Sequence, residues 1–256
     1  MTRPGAAGEP AAGSRAFVDL HCHTSASFDS LASPRSVVAA AAARGLTHLA
    51  ITDHDRIDGA LEAAAHAPAG LTVIVGEEIR TLDGDLIGLF LERAVAPGRS
   101  AEATIADIRA QGGLVGIPHP FDRFRGSILN DPARATLVAG ADWIETWNAR
   151  LIGRGNQRAA ELATELGRPG VAVSDAHTTI EIGVAYTVLG GRPDTPEQLL
   201  AALADARVVP GRASYLARLM APVAKTVQRA RGRGRVAGGT LLAADRGHGT
   251  SGAPDR

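Results

Sequence analysis

Lysine is almost absent from this chain: of its 256 residues only Lys225 is a lysine, so residues 1–224 contain none. A body without lysine can form neither a Schiff-base intermediate nor the lysine contact of a P-loop nucleotide site. Cysteine is equally scarce, and Cys22 alone cannot form an intramolecular disulfide, which fits the reducing cytoplasm. No apolar run approaches the roughly 20 residues of a membrane helix. We therefore expect a cytoplasmic protein that does not contact a membrane.

The formal net charge of zero hides an uneven distribution of charged residues. Residues 222–256 contain seven Lys or Arg and two Asp, a net charge of +5 that leaves −5 for residues 1–221. The first 16 residues are rich in Gly, Pro and Ala and lack the apolar stretch of a signal peptide. We expect a disordered leader over residues 1–15, one folded domain over 16–220 and a flexible basic tail over 221–256. A solvated tail is favoured over one that binds a polyanion.

Apolar runs alternate along the chain with stretches of helical character. One helix is predicted to start after Ser33 as its N-cap, with Pro34 in the first turn, and to end near Gly45. Further helices are predicted over 57–67, 100–111, 154–166 and 195–205. Five buried strands precede polar residues, and four more are predicted at 84–91, 141–148, 185–191 and 207–211. This alternation is typical of an α/β fold with a parallel sheet, and seven or eight strands favour a closed barrel.

Five of the eight histidines stand directly after apolar runs, with carboxylates beside them. These histidines are His21, His23, His54, His119 and His177. The accompanying carboxylates are Asp29, Asp53, Glu77 or Glu78, and Asp175. Barrel enzymes carry their chemistry at the carboxyl ends of the strands, so these side chains should meet at one end of the barrel. Metal would satisfy so many buried polar groups directly, and the pattern therefore predicts a site for several metal ions.

Strand geometry sorts these candidates by the direction of their side chains. Residues i and i+2 of a strand share a face, so His21 and His23 should point together while Cys22 points away. Asp175 and His177 should share a face for the same reason. Glu77 and Glu78 are adjacent and should point in opposite directions, so we expect only one of the two to be a metal ligand.

The segments DLHCHTSASFD, AITDHD, GEE, PHP and SDAH, in this order, resemble the PHP family, named for its polymerase and histidinol phosphatase members. The resemblance covers about residues 17–190. It implies a single-domain, distorted (β/α)7 TIM-like barrel with up to three metal ions. It also implies a hydrolase that acts on phosphate ester bonds.

The resemblance assigns the metal ligands position by position. It places His21, His23 and Asp175 on a first metal, Glu78 between two metals, His119 on a second, and Asp29, His54 and His177 on a third. Asp85 stands where many relatives have a histidine, so it either binds the second metal through oxygen or leaves that site weaker. The expected cofactors are two or three divalent ions, and the mixed ligands suit manganese, iron or zinc.

The expected reaction is hydrolysis of a phosphate ester by a hydroxide that bridges two metal ions, without a phosphoenzyme. His177, or a water on the third metal, would protonate the leaving oxygen. Arg123, Arg125 and Arg150 follow strands at the same end of the barrel, where guanidinium groups can hold phosphate. These arginines are also compatible with an ordinary solvated surface.

Three other functions share parts of this pattern. A barrel amidohydrolase with a carboxylated lysine is excluded, because residues 1–224 lack lysine. A 5′–3′ exonuclease on RNA or DNA ends stays open, as does a catalytically inactive structural PHP domain. The expected partner is a small phosphorylated substrate, such as a nucleotide, or the 5′ end of a nucleic acid, and no obligate protein partner is indicated.

Overall fold

Nine strands form one sheet in the computed structural model, which describes residues 14–122, 125, 127 and 138–235. Their order across the sheet is β7-β6-β5-β4-β3-β2-β1-β8-β9. The strands are β1 (Arg15–Asp19), β2 (His48–Ile51), β3 (Thr72–Arg80), β4 (Asp85–Leu89), β5 (Leu114–Ile117), β6 (Trp143–Asn148), β7 (Gly170–Val173), β8 (Tyr186–Gly190) and β9 (Arg207–Val209).

Six helices lie between or after these strands within the described residues. They are α1 (Pro34–Ala43), α2 (Asp58–Ala65), α3 (Ala101–Arg109), α4 (Gly155–Glu165), α5 (Pro196–Leu203) and α6 (Tyr215–Ala230). The predicted start of α1 is confirmed, because the Ser33 hydroxyl accepts a hydrogen bond from the backbone N–H of Ser36 at 3.2 Å. Its predicted end is confirmed by Gly45, whose φ of 76° lies in the left-handed region that favours glycine.

The sheet is parallel only in part. β1, β2 and β3 run parallel, as do β5, β6 and β7, in agreement with the sequence pattern. β4 is antiparallel to both of its neighbours, and β8 and β9 are antiparallel as well. β4 runs antiparallel to β3 because only the short turn from Thr81 to Gly84 joins them, whereas a parallel connection needs about a dozen residues or more.

The first seven strands nearly close into a barrel through the residues that follow β1 and β7. The backbone N–H of Asp175 donates to the carbonyl of His21 at 3.0 Å, and that of His23 donates to the carbonyl of Ala176 at 2.9 Å. Below these contacts the Thr187 hydroxyl joins β8 to β7, accepting from the N–H of Ala172 at 2.9 Å. The predicted distorted TIM-like barrel of one domain is confirmed, with the closing contacts at the carboxyl ends of the strands.

The barrel interior is filled by apolar side chains from β1 to β8, with Trp143 as the largest fully buried one. Gly116 on β5 lies against this indole. A Cβ atom at Gly116 would stand 2.1 Å from Cζ2 of Trp143, so the two strands can pair only because this position has no side chain.

Replacement of Gly116 by Ala should therefore overpack the barrel interior. We expect the free energy of unfolding to fall by about 1–3 kcal/mol, measured by urea denaturation. Gly190→Ala is the matched control, because a Cβ atom at this other strand glycine meets no atom within 4 Å. Equal stability of the two variants would contradict the packing described for Trp143.

The chain continues as packed structure beyond the boundary expected at residue 220. α6 crosses that boundary, and Ala224 and Gln228 on its later turns are buried against the barrel. Larger apolar side chains of the same helix point outward, and the side chain of Leu216 is 72% exposed. Residues 1–13 of the expected leader and 236–256 of the expected tail lie outside the described residues. Within the described chain, no helix has both the length and the apolar character that crossing a bilayer requires.

Candidate metal centre

The structure brings all nine predicted metal ligands together at one end of the barrel, where the parallel strands have their carboxyl ends and the antiparallel β4 begins at Asp85. They form three groups of buried side chains, and the potential ligand atoms within each group lie within 4.8 Å of one another. The groups are His23, Asp29, His54 and His177; His21, His23 and Asp175; and Glu78, Asp85 and His119. Because His23 belongs to two groups and lies 3.4 Å from Glu78 of the remaining one, the arrangement is one continuous cluster of imidazoles and carboxylates.

His21 and His23 point to the same side of the chain, as the alternation of side chains predicts. Their Nε2 atoms are 2.9 Å apart, whereas Cys22 packs into the apolar cluster beneath α1 and α2. Nδ1 of His21 contacts the Glu145 carboxylate at 2.6 Å, which requires that Nδ1 carry the proton. Burial would lower the pKa of His21, but Glu145, Asp175 and Glu78 outweigh it and hold that pKa well above the ordinary value, so Nε2 of His21 gives up a proton when an ion binds there.

The proton of His23 is placed by a similar argument. Its Nδ1 lies 3.2 Å from the hydroxyl of Ser27, and that hydroxyl gives its only proton to Asp53 at 2.6 Å. His23 must therefore donate through Nδ1. Burial, reinforced by nearby His177, holds the pKa of His23 well below its ordinary value, so the ring stays neutral with Nε2 unprotonated. A neutral imidazole with a free Nε2 is the form that binds metal ions.

The hydrogen bond of His177 also shows which of its ring nitrogen atoms carries a proton. Its Nδ1 lies 2.9 Å from the carbonyl oxygen of Asp175, and a carbonyl can only accept, so Nδ1 carries the proton. Its Nε2 lies 3.4 Å from the Asp29 carboxylate. A cation between Nε2 of His177 and the Asp29 carboxylate would be a favourable partner for both groups.

Glu78 lies at the centre of the cluster and contacts four histidines. Oε1 is 3.0 Å from Nε2 of His119, and Oε2 is 3.1–3.4 Å from ring nitrogens of His21, His23 and His54. Burial would raise the pKa of Glu78, but the histidines outweigh it and hold that pKa well below the ordinary value. The carboxylate is therefore ionised and central to the three groups.

Glu77 points away from the cluster, so the predicted opposition of the two glutamates is confirmed. Its Oε2 accepts a hydrogen bond from the backbone N–H of Val95 at 2.8 Å. Burial raises the pKa of Glu77 to about 8, which keeps this carboxyl largely protonated at neutral pH.

Asp29 and Asp85, the two aspartates predicted as ligands outside the first metal, occupy different groups. Asp29 lies 3.4 Å from Nε2 of His54. Asp85 belongs to the group of Glu78 and His119, and Arg235 approaches its carboxylate at 3.4 Å. Both aspartates are therefore placed where a ligand would be needed.

Two residues of the cluster have an unusual backbone. His119 and Asp175 have φ values of 27° and 52°, which lie in the left-handed region that side chains other than glycine rarely adopt. Such conformations cost of order 1–3 kcal/mol and persist where surrounding contacts enforce them. Here they direct an imidazole and a carboxylate into the same cluster.

Glu145 is the most important residue of the site that the sequence did not single out. Its Oε1 accepts from Nδ1 of His21. Its Oε2 accepts from the backbone N–H of His119 at 2.7 Å and from the side-chain amide of Asn148 at 2.9 Å. It thus fixes two of the predicted ligands at once. The sequence feature that could have identified Glu145 is its position as a charged residue within the predicted strand WIETWN, which becomes β6.

Asp53, one of the carboxylates beside the histidines in the sequence, does not belong to any of the three groups. Its carboxylate instead accepts from the backbone and hydroxyl of Thr24 and from the hydroxyl of Ser27, each at 2.6 Å. It therefore anchors the loop that follows β1.

Two of the three predicted phosphate-binding arginines lie beside the cluster. Arg125 binds Asp122 at 2.7 Å and also contacts Asp175, while Arg150 binds Glu181 at 2.7 Å. Arg123 lies outside the described residues. Arg150 also lines a cleft of about 650 Å³ together with Arg154 and Arg158. The structure thus places a cationic cleft next to the metal-ligand groups.

The donor set fits divalent ions. The buried atoms Oδ1 of Asp29, Nδ1 of His119 and Oδ1 of Asp175 have no hydrogen-bond partner among the described residues. Buried polar atoms are almost always satisfied, so several such atoms in one cluster are consistent with a site that binds cations. Imidazole and carboxylate ligands together suit manganese, iron or zinc.

Glu145→Gln should weaken ion binding without removing a ligand, because it takes away the charge that orients His21. We expect a loss of about 10–100-fold in metal affinity, measured by calorimetric titration with Mn²⁺. Glu161→Gln, on the exposed side of α4, is the control that should bind as the wild type does. An unchanged affinity in Glu145→Gln would contradict the orienting role.

Two family models match the chain. One described as "PHP domain" matches residues 19–137, and one described as "PHP-associated" matches residues 153–208. The uncharacterized protein MJ1587 of Methanocaldococcus jannaschii is 40% identical over 114 residues, which is 40% of this chain and 67% of that protein. A 5′-3′ exoribonuclease of Haemophilus influenzae is 47% identical over 64 residues, 25% of this chain and 23% of that protein.

Solved structures with the same fold include a two-domain protein of Bacteroides vulgatus that contains a predicted PHP-like metal-dependent phosphoesterase. It has a TM-score of 0.66 and 17% identity, and the match covers 82% of this chain and 70% of that one. A lesion-specific endonuclease of Pyrococcus furiosus has a TM-score of 0.57 and 14% identity, with 76% of this chain and 58% of that one covered. These likenesses concern the fold.

Proposed function

Because this chain belongs to the PHP family, we propose that it is a metal-dependent phosphoesterase whose substrate is a small phosphorylated molecule such as a nucleotide. The observation that carries the proposal is the position of Glu78. One ionised carboxylate contacts His21, His23, His54 and His119, so two or more ions held by these groups would share it. A shared carboxylate between closely spaced ions is typical of hydrolytic centres.

The proposed ligands follow the three groups of the cluster. His21, His23 and Asp175 would hold one ion, Glu78, Asp85 and His119 a second, and Asp29, His54 and His177 a third. Bound divalent ions would supply Lewis acidity, which lowers the pKa of water and offsets the charge on a phosphoryl group.

The remaining residues of the site bind and orient. Glu145 keeps the proton of His21 on Nδ1, so that Nε2 stays available on the inner side of the cluster. Arg125 places a positive charge beside Asp175, where it would meet an anionic phosphoryl oxygen. Arg150 lies on the wall of the neighbouring cleft, where it would bind a more distant part of the substrate.

The two roles proposed for His177 exclude each other at any one moment, since a nitrogen that binds an ion cannot donate a proton. Its Nδ1 proton is held by the Asp175 carbonyl, and its free Nε2 faces Asp29. This geometry favours the role of ligand. The leaving oxygen would then take its proton from water.

A second candidate is cleavage of nucleic acids. It is supported by the similarity to a 5′-3′ exoribonuclease and by the fold shared with an endonuclease. The net charge of −5 over residues 1–221 favours a small substrate, because binding to a polyanion is driven by several cationic contacts with phosphates.

Purification without chelator, elemental analysis and a substrate screen with added Mn²⁺ test the proposal. The screen contains phosphate monoesters, nucleoside bisphosphates and short 5′-phosphorylated RNA. We expect bound metal and hydrolysis of a small phosphate ester, abolished by chelator. Faster cleavage of RNA would establish the second candidate. Less than one ion per chain, with no hydrolysis after addition of manganese, iron or zinc, would show an inactive structural domain.

A further inference from the structure

The loop between β1 and α1, residues 24–32, presents Asp29 to the group of His23, His54 and His177. Asp53 holds one side of this loop through the three hydrogen bonds to Thr24 and Ser27 described above. Those bonds leave the backbone carbonyls on the other side of the loop without a partner from the barrel.

Gln228 of α6 supplies that partner. Its side chain is fully buried, and its amide Nε2 lies 2.8, 3.1 and 2.9 Å from the carbonyl oxygens of Ser25, Ser27 and Ser30. Three carbonyls separated along the loop therefore converge on one amide group. Buried carbonyls are nearly always paired, so the curvature of this loop depends on a residue about 200 positions later in the chain.

The same segment contacts the loop at Phe28. The Phe28 ring lies against the imidazole of His54, with 4.9 Å between the ring centroids. Lys225 and Arg235 approach the Phe28 ring at 5.4 and 5.7 Å, distances at which a cation is attracted to an aromatic face. Arg235 also binds Asp55 at 2.9 Å. The chain after residue 224 is therefore attached to the metal centre at several points.

We propose that Gln228 is a positioning residue of the metal centre: by holding the carbonyls of the 24–32 loop, it fixes Asp29 for the ion that His54 and His177 would also hold. The inference rests on the proposed function, because it assumes that the cluster binds ions. Without the amide, the carbonyls of Ser27 and Ser30 lose this donor, that of Ser25 keeps a longer contact to Arg233 at 3.4 Å, and the loop relaxes toward water. Asp29 then leaves the group, whereas His21, His23 and Asp175 keep their positions.

The test compares Gln228→Met with the wild type by calorimetric titration with Mn²⁺ and by counting bound ions after desalting. Methionine keeps the length and shape of glutamine but cannot donate. We expect one class of site to weaken by about 10–100-fold while the tighter sites keep their affinity. Arg229→Ala, on the adjacent exposed position of α6, is the matched control and should bind like the wild type.

A double-mutant cycle with Asp29→Asn separates positioning from a general effect on folding. If Gln228 acts through Asp29, the combined variant should lose no more affinity than Asp29→Asn alone. Gln228→Asn, which keeps the amide but shortens the side chain, should show a smaller loss in the same site and serves if Gln228→Met does not fold.

Two outcomes have different meanings. Wild-type ion number and affinities in both Gln228 variants, or losses that add to those of Asp29→Asn, would overturn the positioning role while leaving the phosphoesterase proposal intact. A wild-type protein that binds no ions would reject both.

Discussion

Glu78→Gln should lower the rate of phosphate ester hydrolysis by about 10³-fold and reduce the number of bound ions. The reason is the central position of this carboxylate, which contacts four histidines of the three groups. Loss of a shared ligand removes several kcal/mol of charge stabilisation from the reaction, and each 1.4 kcal/mol changes the rate about tenfold. Steady-state kinetics in Mn²⁺, with ion content measured on the same samples, would test this.

Glu77→Gln is an unusually close control for that experiment. The two glutamates are neighbours on β3, are equally buried, and point in opposite directions. Because burial raises the pKa of Glu77 to about 8, its carboxyl is already largely uncharged at pH 7, and the amide mimics it. We expect Glu77→Gln to keep its ions and nearly all its activity. Full ion content in Glu78→Gln would remove Glu78 from the ligand set.

His177→Gln should give the second largest loss, about 10²–10⁴-fold in the hydrolysis rate, and its cause can be identified. If His177 is a ligand, as its tautomer favours, the variant should also bind one ion fewer. If it is instead the proton donor, the ion number should stay constant. A phosphate ester with a good leaving group, such as 4-nitrophenyl phosphate, should then be affected much less than an alkyl phosphate.

The control for this variant is His66→Gln, at the exposed end of α2, which should behave like the wild type. Wild-type ion content combined with an equal loss for both types of leaving group would exclude both roles of His177.

The local pattern of the sequence was sufficient to find the strands and the side chains at their ends. The direction of His21, Cys22 and His23 follows from the alternation of side chains, and that of Glu77 and Glu78 follows in the same way. The antiparallel direction of β4 was not predicted, although the short turn before it contains the information. Apolar runs show where strands lie but carry no signal for their direction.

Contacts between distant parts of the chain could not be predicted from local pattern. Glu145 binds His21 across 124 positions, and Gln228 binds Ser25 across 203. The composition after residue 220 favoured a flexible tail because it is basic and contains repeated Arg-Gly pairs. Instead, α6 packs through the small buried side chains of Ala217 and Ala224 and through the buried side-chain amide of Gln228.

The closing contacts of the barrel lie within the metal centre itself. The backbone bonds that join the end of β1 to the end of β7 use His21, His23 and Asp175, which are also the three members of one proposed ion site. An ion bound there would join the ends of β1 and β7, so ion binding and folding should be thermodynamically linked. Chelation should therefore speed the exchange of the backbone amides of His23 and Asp175 with deuterium and make thermal unfolding of the barrel less cooperative.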